Sequence, residues 1–217
     1  MKTIHLLLLL WIPAFAGMTG VGVAAEPGSI TFLPSSELVK HEKTITRVEE
    51  YLSGLSTIIS EFTQVAPDGS LAAGKFFLER PGRMRWQYNP PTPILMVANG
   101  SDLVYYDYEL QQISHIPMDS TLIGFLAQKK IRFADDVGVI SFSENAGTIR
   151  IGVAQRKKPE EGQLVLELSD KPLLIRNMVV TDAGGQITTV SLNNARFGTP
   201  IDKTLFDFRD PRKPRGK

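Results

Sequence analysis

Hydrophobic and polar positions along this chain follow two periods, one near 3.6 residues and one near two, and the change between them falls at Thr57. Before it, Leu38, Ile45, Val48, Leu52 and Leu55 share one stripe at heptad-like spacing, while Lys40, Glu42, Lys43, Arg47 and Glu50 point largely elsewhere. The stripe predicts an amphipathic helix that starts from a Ser35 or Ser36 cap, carries Glu37 in its electropositive first turn and runs to about Leu55. Such a helix needs a sheet or bundle to cover.

After Thr57 the alternation is that of strands, whose side chains point to opposite faces in turn. It predicts strands at about 58–65, 71–80, 83–89, 94–98, 103–108 and 111–116, and a short helix over 120–129. Further strands follow at about 139–143, 148–154, 163–168, 173–181 and 186–193, with a last pairing at 206–208. Turn residues separate them, notably Asp68-Gly69, Pro81-Gly82, Asn145-Ala146-Gly147 and Asn99-Gly100, the last being the strongest hairpin signal in the chain. Connections this short force antiparallel pairing and exclude βαβ units. The fold class is therefore α+β, mainly β. A sheet of about eleven strands curls, and the amphipathic helices have its concave side to cover, which describes an unclosed antiparallel half-barrel. Periodicity leaves open whether its interior is packed or hollow.

The N-terminus changes the compartment. Lys2, the apolar stretch from Leu6 to Ile12 and the small residues after it read as a secretory signal peptide, with cleavage after Ala16 or, preferably, after Ala25. The apolar run falls short of the ~20 residues of a spanning helix, and Pro13 and Gly17 interrupt it. The expected organisation is a leader at 1–25, a single domain at 26–208 and a basic tail at 209–217. With no cysteine, the chain has no disulfide framework, no thiolate metal site and no lipid-modified N-terminal cysteine. Its 24 basic and 23 acidic residues create no global field for nucleic acid.

Candidate chemistry is sparse. The chain contains no Gly-x-Ser-x-Gly turn, no phosphate-cradling glycine loop and no His-Glu-x-x-His pair. Of its three histidines, His5 lies in the leader, His41 on the polar side of the first helix and His115 at a strand end, and none has a second histidine at metal-ligand spacing. Asp135-Asp136 reads as a solvated turn. No catalytic residue, cofactor or metal is expected, and the protein is not expected to be an enzyme.

The informative stretch runs from Arg80 to Pro91. Met84, Trp86 and Tyr88 share one face of an extended backbone, and Arg83, Arg85 and Gln87 share the other. Arg80 has the parity of Phe76 and Leu78, which aims a guanidinium at the apolar side, where it must find acceptors. It is either a snorkelling or salt-bridged arginine at a strand end, or a latch reaching backbone carbonyls of a covering helix. Phe76, Leu78, Met84, Trp86 and Tyr88, with Leu122, Phe125 and Leu126 above them, are either ordinary core or the lining and cover of an apolar cavity.

Several local patterns occur in order: Phe62-Thr63-Gln64, Gly74, Arg80-Pro81, Trp86, Asn99-Gly100, Val104-Tyr105-Tyr106-Asp107 and Phe206-Asp207-Phe208. Spread over about 38–210, this succession resembles the periplasmic outer-membrane lipoprotein carrier family, LolA. The resemblance implies a periplasmic location and an unclosed barrel whose apolar cavity receives acyl chains at the residues named above, with Arg80 as the latch of a helical lid. It also implies a chaperone that undergoes no chemistry, acts as a monomer, takes acylated lipoproteins from an inner-membrane ABC transporter and passes them to an outer-membrane receptor. Tyr108-Glu109-Leu110 and the short basic tail depart from the family's pattern. The alternative is a periplasmic lipid- or partner-sensing regulatory domain on the same half-barrel.

Overall fold

The computed structural model describes residues 30–212, so the predicted leader and the end of the basic tail lie outside the described residues. Eleven strands form one antiparallel sheet. The first meander comprises β1 (Thr57–Val65), β2 (Leu71–Glu79), β3 (Arg83–Tyr88), β4 (Ile94–Asn99), β5 (Asp102–Asp107) and β6 (Gln112–Pro117). The second comprises β7 (Val137–Asn145), β8 (Thr148–Gln155), β9 (Gly162–Ser169), β10 (Leu174–Asp182) and β11 (Ile187–Phe197). Pairing of β1 with β11 joins the two, giving the order β6-β5-β4-β3-β2-β1-β11-β10-β9-β8-β7. The end strands β6 and β7 do not pair, so the barrel is unclosed, as expected.

Local irregularities curl the sheet. Arg176 has no partner on β9 and Ile140 none on β8, and each extra residue bends its strand and increases the local twist. Where β1 meets β11 the register also shifts, and there Ser60 Oγ donates to the Asn193 carbonyl at 2.8 Å beside Asn194, which has a φ of 52°. Alternate residues of both meanders face the concave side and form one continuous apolar core.

The predicted long helix is two helices, α1 (Ser35–Lys40) and α2 (Glu42–Gly54), separated at His41 with φ −111°. Pro34, without a side-chain cap, precedes α1 in place of a capping serine. His41 does not point to solvent alone, because its ring stacks on Phe142 of β7 with centroids 4.2 Å apart. The apolar stripe behaves as expected: Val48 and Leu52 are fully buried in the core, and Leu38 and Ile45 pack on its margin.

Two further elements differ from expectation. The helix predicted over 120–129 is a 3₁₀ turn at Met118–Ser120 followed by one turn of helix, α3 (Leu122–Phe125), capped by the Thr121 hydroxyl accepting from Gly124 N at 2.9 Å. The turn is tight enough to need glycine, since a Cβ at Gly124 would sit 1.9 Å from the Met118 carbonyl. No strand forms at 206–208. All strands except β6 and β7 already have two neighbours, and the chain instead makes a 3₁₀ turn at Lys203–Phe206. That segment crosses the convex face, where Arg85 Nη1 donates to the Leu205 carbonyl at 3.0 Å and Phe208 packs with Leu95, Val97 and Tyr106.

Close packing across β1, β2 and β3 depends on one glycine. A Cβ at Gly74 would lie 2.2 Å from the Gln87 carbonyl and 2.7 Å from the Phe62 ring. Gly74→Ala is expected to lower stability by about 1 to 3 kcal/mol through overpacking, read as a lower urea midpoint. An unchanged midpoint would show that the sheet gives way there at no cost.

Candidate functional site

Helix α2 is held to the second meander by its polar edge. The Tyr51 hydroxyl accepts from Ile175 N at 3.1 Å, Arg47 pairs with Asp170 and Thr44 Oγ1 donates to Glu144 at 3.1 Å. Its other edge is tied to the covering segment 118–133. Ser53 Oγ accepts from Ile131 N at 3.0 Å, and Glu49 accepts from Phe133 N at 2.6 Å. The turn between β2 and β3 reaches the same cover through Gly82 N, which donates to the Ala127 carbonyl at 2.8 Å. Helix, cover and turn therefore meet at one place.

Arg80 occupies that place. Strand β2 ends at Glu79, but the alternation carries through one more residue and turns the guanidinium inward. Its Nε donates to the Leu126 carbonyl at 2.7 Å, and its Nη1 donates to the Leu52 carbonyl. Leu52 lies in the last turn of α2, where its carbonyl also accepts from the capping Leu55 N at 3.4 Å and the helix dipole is negative, so a cation is favoured there. Among the described residues no carboxylate pairs with Arg80. Burial lowers the guanidinium from its ordinary value to about 10, with Tyr51 acting in the opposite sense. It remains charged at neutral pH, and its acceptors are backbone carbonyls of two covering segments.

All eight apolar candidates belong to or pack against one core cluster, with Phe76, Leu78 and Leu126 beside Arg80. Phe76, Leu78, Met84, Trp86 and Tyr88 are buried on the concave face, Phe125 and Leu126 are buried above them, and Leu122 packs at the margin. The expected open cavity is absent from this conformation. Leu52, Leu55, Phe76, Leu78, Leu126, Ile175 and Met178 surround a remaining void of about 10 Å³, roughly the ~10–15 Å³ that one water requires. The protein's own side chains fill the interior, with Val48 and Leu52 of α2 and the capping Leu55 pressed into it.

Sequence reasoning placed the site in the first meander and missed its other wall. Ile149, Ile151 and Val153 of β8, Leu164, Leu166 and Leu168 of β9, and Met178 and Val190 are as deeply buried. Their strict alternation was the available signal. It also assigned no role to Gln64, which is fully buried on β1 and accepts from the Tyr88 hydroxyl at 2.7 Å. The Nε2 of Gln64 and the Nε1 of Trp86 have no hydrogen-bond partner among the described residues. An orphaned buried donor costs about 1 to 3 kcal/mol.

A separate open cleft of about 800 Å³ lies between the two free sides of the barrel. Gly82, Gly100, Asp102, Met118 and Phe125 border it from the first meander and the cover, and Val137, Gln155 and Lys158 from the second. The cover thus separates a filled apolar interior from a wet mouth.

An uninterrupted antiparallel half-barrel, covered by helices over an apolar concave face, defines the structural class. It is similar to the crystal structure of a DUF1329 family protein from Desulfovibrio piger, with a TM-score of 0.51 at 12% identity over 78% of this chain and 97% of that one. At such identity the likeness concerns the fold alone. The family described as outer membrane lipoprotein carrier protein LolA matches residues 53–209, and the chain belongs to it. Among curated relatives, the outer-membrane lipoprotein carrier protein of Methylococcus capsulatus is 28% identical over 178 residues, covering 76% of this chain and 83% of the relative. That of Pseudoalteromonas translucida is 28% identical over 171 residues, covering 76% and 82%.

The buried phenols generate a pH dependence. Burial raises Tyr51, Tyr88 and Tyr105 above the ordinary phenol value of 10.0. Above that pH the unfolded chain releases protons that the folded chain keeps, so stability falls as pH rises. Arg80, lowered to about 10, acts in the opposite direction, because the unfolded chain then holds one more proton than the folded one. Arg85, also lowered by burial, acts with Arg80, so three phenols stand against two guanidiniums and the net effect is destabilising. Urea midpoints are expected to fall between about pH 10 and pH 11, with phenolate absorbance rising in step with unfolding. Constant stability across that interval would contradict the buried environment assigned to these side chains.

Proposed function

We propose that this chain is a periplasmic chaperone that binds the acyl chains of lipoproteins against its concave face and carries them from the inner to the outer membrane. It would receive them from an inner-membrane ABC transporter and release them to an outer-membrane receptor. The observation that carries this reading is the Arg80 bridge. A cation bonded to two carbonyls from two separate covering segments holds a cover over an otherwise apolar wall. Family membership and the names of the relatives support the cargo class. The leader read at 1–25 supplies the compartment, and the single domain at 26–208 works as a monomer. No chemical step is required.

The energetic need for such a carrier is large. A buried methylene is worth roughly 0.8 kcal/mol, so moving one chain of about sixteen carbons from a membrane into water costs on the order of 12 kcal/mol. Loading exchanges one set of apolar contacts for another. Side chains of α2 and the cover leave the sheet, and acyl chains take their place, so the hydrophobic terms largely cancel. The balance between empty and loaded states then falls to a few polar contacts. Hydrogen bonds from a charged donor are worth about 1.5 to 3 kcal/mol each, enough to favour the closed empty state without preventing loading.

Removing the bridge should therefore favour cargo. In Arg80→Leu the closed state loses its latch while the sheet and its core remain. The apparent affinity for a synthetic diacylated lipopeptide is expected to rise about 5- to 100-fold, with slower release to acceptor membranes. Wild-type affinity and release in the folded variant would remove Arg80 from the mechanism.

A further inference from the structure

We infer that the concave face contains a carbonyl-binding site, in which the unpaired N–H groups of Gln64 and Trp86 receive the acyl-ester oxygens of a bound lipid. Both side chains are fully buried, and theirs are the buried side-chain polar atoms that lack a partner among the described residues. The two orphans are both donors. Gln64 has its oxygen engaged by the Tyr88 hydroxyl, and an indole nitrogen can only donate. Burial raises the Tyr88 phenol, which keeps its proton available for that bond. Phe62 links the pair, since its ring meets those of Trp86 and Tyr88 edge-on with centroids 5.0 Å away in each case.

The chemistry left unsatisfied selects a ligand class. A pure hydrocarbon would leave both donors unpaired, and a fatty alcohol would bring another donor into the core. An acyl ester is apolar along its chains, and its polar atoms are all acceptors. Water at the residual void does not serve these groups, because the residues around that void include neither Gln64 nor Trp86. A merely structural core would need none of these polar groups, since apolar residues at positions 64, 86 and 88 leave no orphaned donor. The inference rests on the carrier reading for the presence of a lipid, and adds which part of the lipid is recognised.

The test compares an S-(diacylglyceryl)cysteine peptide with its dialkyl ether twin, which has the same chains and no ester carbonyls. Calorimetric titration of the full chain is expected to show the ester peptide bound about 5- to 10-fold more tightly. The ester-to-ether ratio should fall towards one in Trp86→Phe and in Gln64→Leu combined with Tyr88→Phe, the second change removing the hydroxyl that Gln64→Leu would free as a new donor. Gln64→Met, which also removes the donor, replaces Gln64→Leu if that variant does not fold. Equal binding of both peptides by the wild type, or a ratio unchanged in the variants, overturns the carbonyl site and leaves the carrier reading standing. Binding of neither peptide overturns both. A diacyl phospholipid and its dialkyl counterpart form a second arm. An ester preference in both arms supports a carbonyl site that accepts diacyl lipids in general, and one confined to the peptides assigns it to the lipoprotein anchor.

Discussion

A half-buried cation with no carboxylate partner among the described residues is the constraint on which this structure turns. Removing a guanidinium from water is costly unless its donors are met, and Arg80 meets acceptors that exist only when the covering segments are in place. One is a carbonyl in the last turn of α2, and the other belongs to Leu126 of the cover. An ion pair would have held Arg80 through a side chain of its own neighbourhood, whatever the cover did. Bonding to backbone carbonyls ties this residue to both covering segments at once. The neighbouring bonds from Ile131 N to Ser53 and from Phe133 N to Glu49 close the same seam.

Beneath the seam, the two meanders contribute equally to a wall that has few polar atoms. The bulges at Arg176 and Ile140 bend that wall around α2, so a helix only 13 residues long fills most of it. A filled interior is compatible with a binding role, because an oily space left open would be wetted or would collapse. The protein's own helix and cover occupy that space in this structure. The exceptions to this apolar economy are Gln64 and Trp86, whose donors remain unmet inside a core that is otherwise well satisfied.

Much of this was legible in the residues themselves. Strands β1 to β11 follow from alternation and turn chemistry with ends displaced by a residue or two in most cases, and Asn99-Gly100 marks its hairpin correctly. The inward aim of Arg80 followed from parity with Phe76 and Leu78. What could not be read depends on distant parts of the chain. The break at His41 is invisible because the apolar stripe continues through it, while the stacking on Phe142 that accompanies it comes from β7. The Phe206-Asp207-Phe208 segment looks like a strand, yet β1 and β11 already pair with each other and offer no vacant edge. Periodicity identifies which face is apolar but not what lies against it, so it could not distinguish a hollow interior from one filled by Leu52 and Leu126.

The central claim is that α2 and the cover must part along their shared seam for lipid to bind. The chain has no cysteine, so a pair introduced as Glu49→Cys and Arg132→Cys, at a contact now 3.7 Å wide between α2 and the cover, can be bridged selectively by a short cleavable thiol reagent. The account predicts that the bridged protein loses lipopeptide binding in calorimetric titration and regains it when the bridge is cut. Equal binding before and after cutting would show that acyl chains are accommodated without opening this seam, contradicting the account.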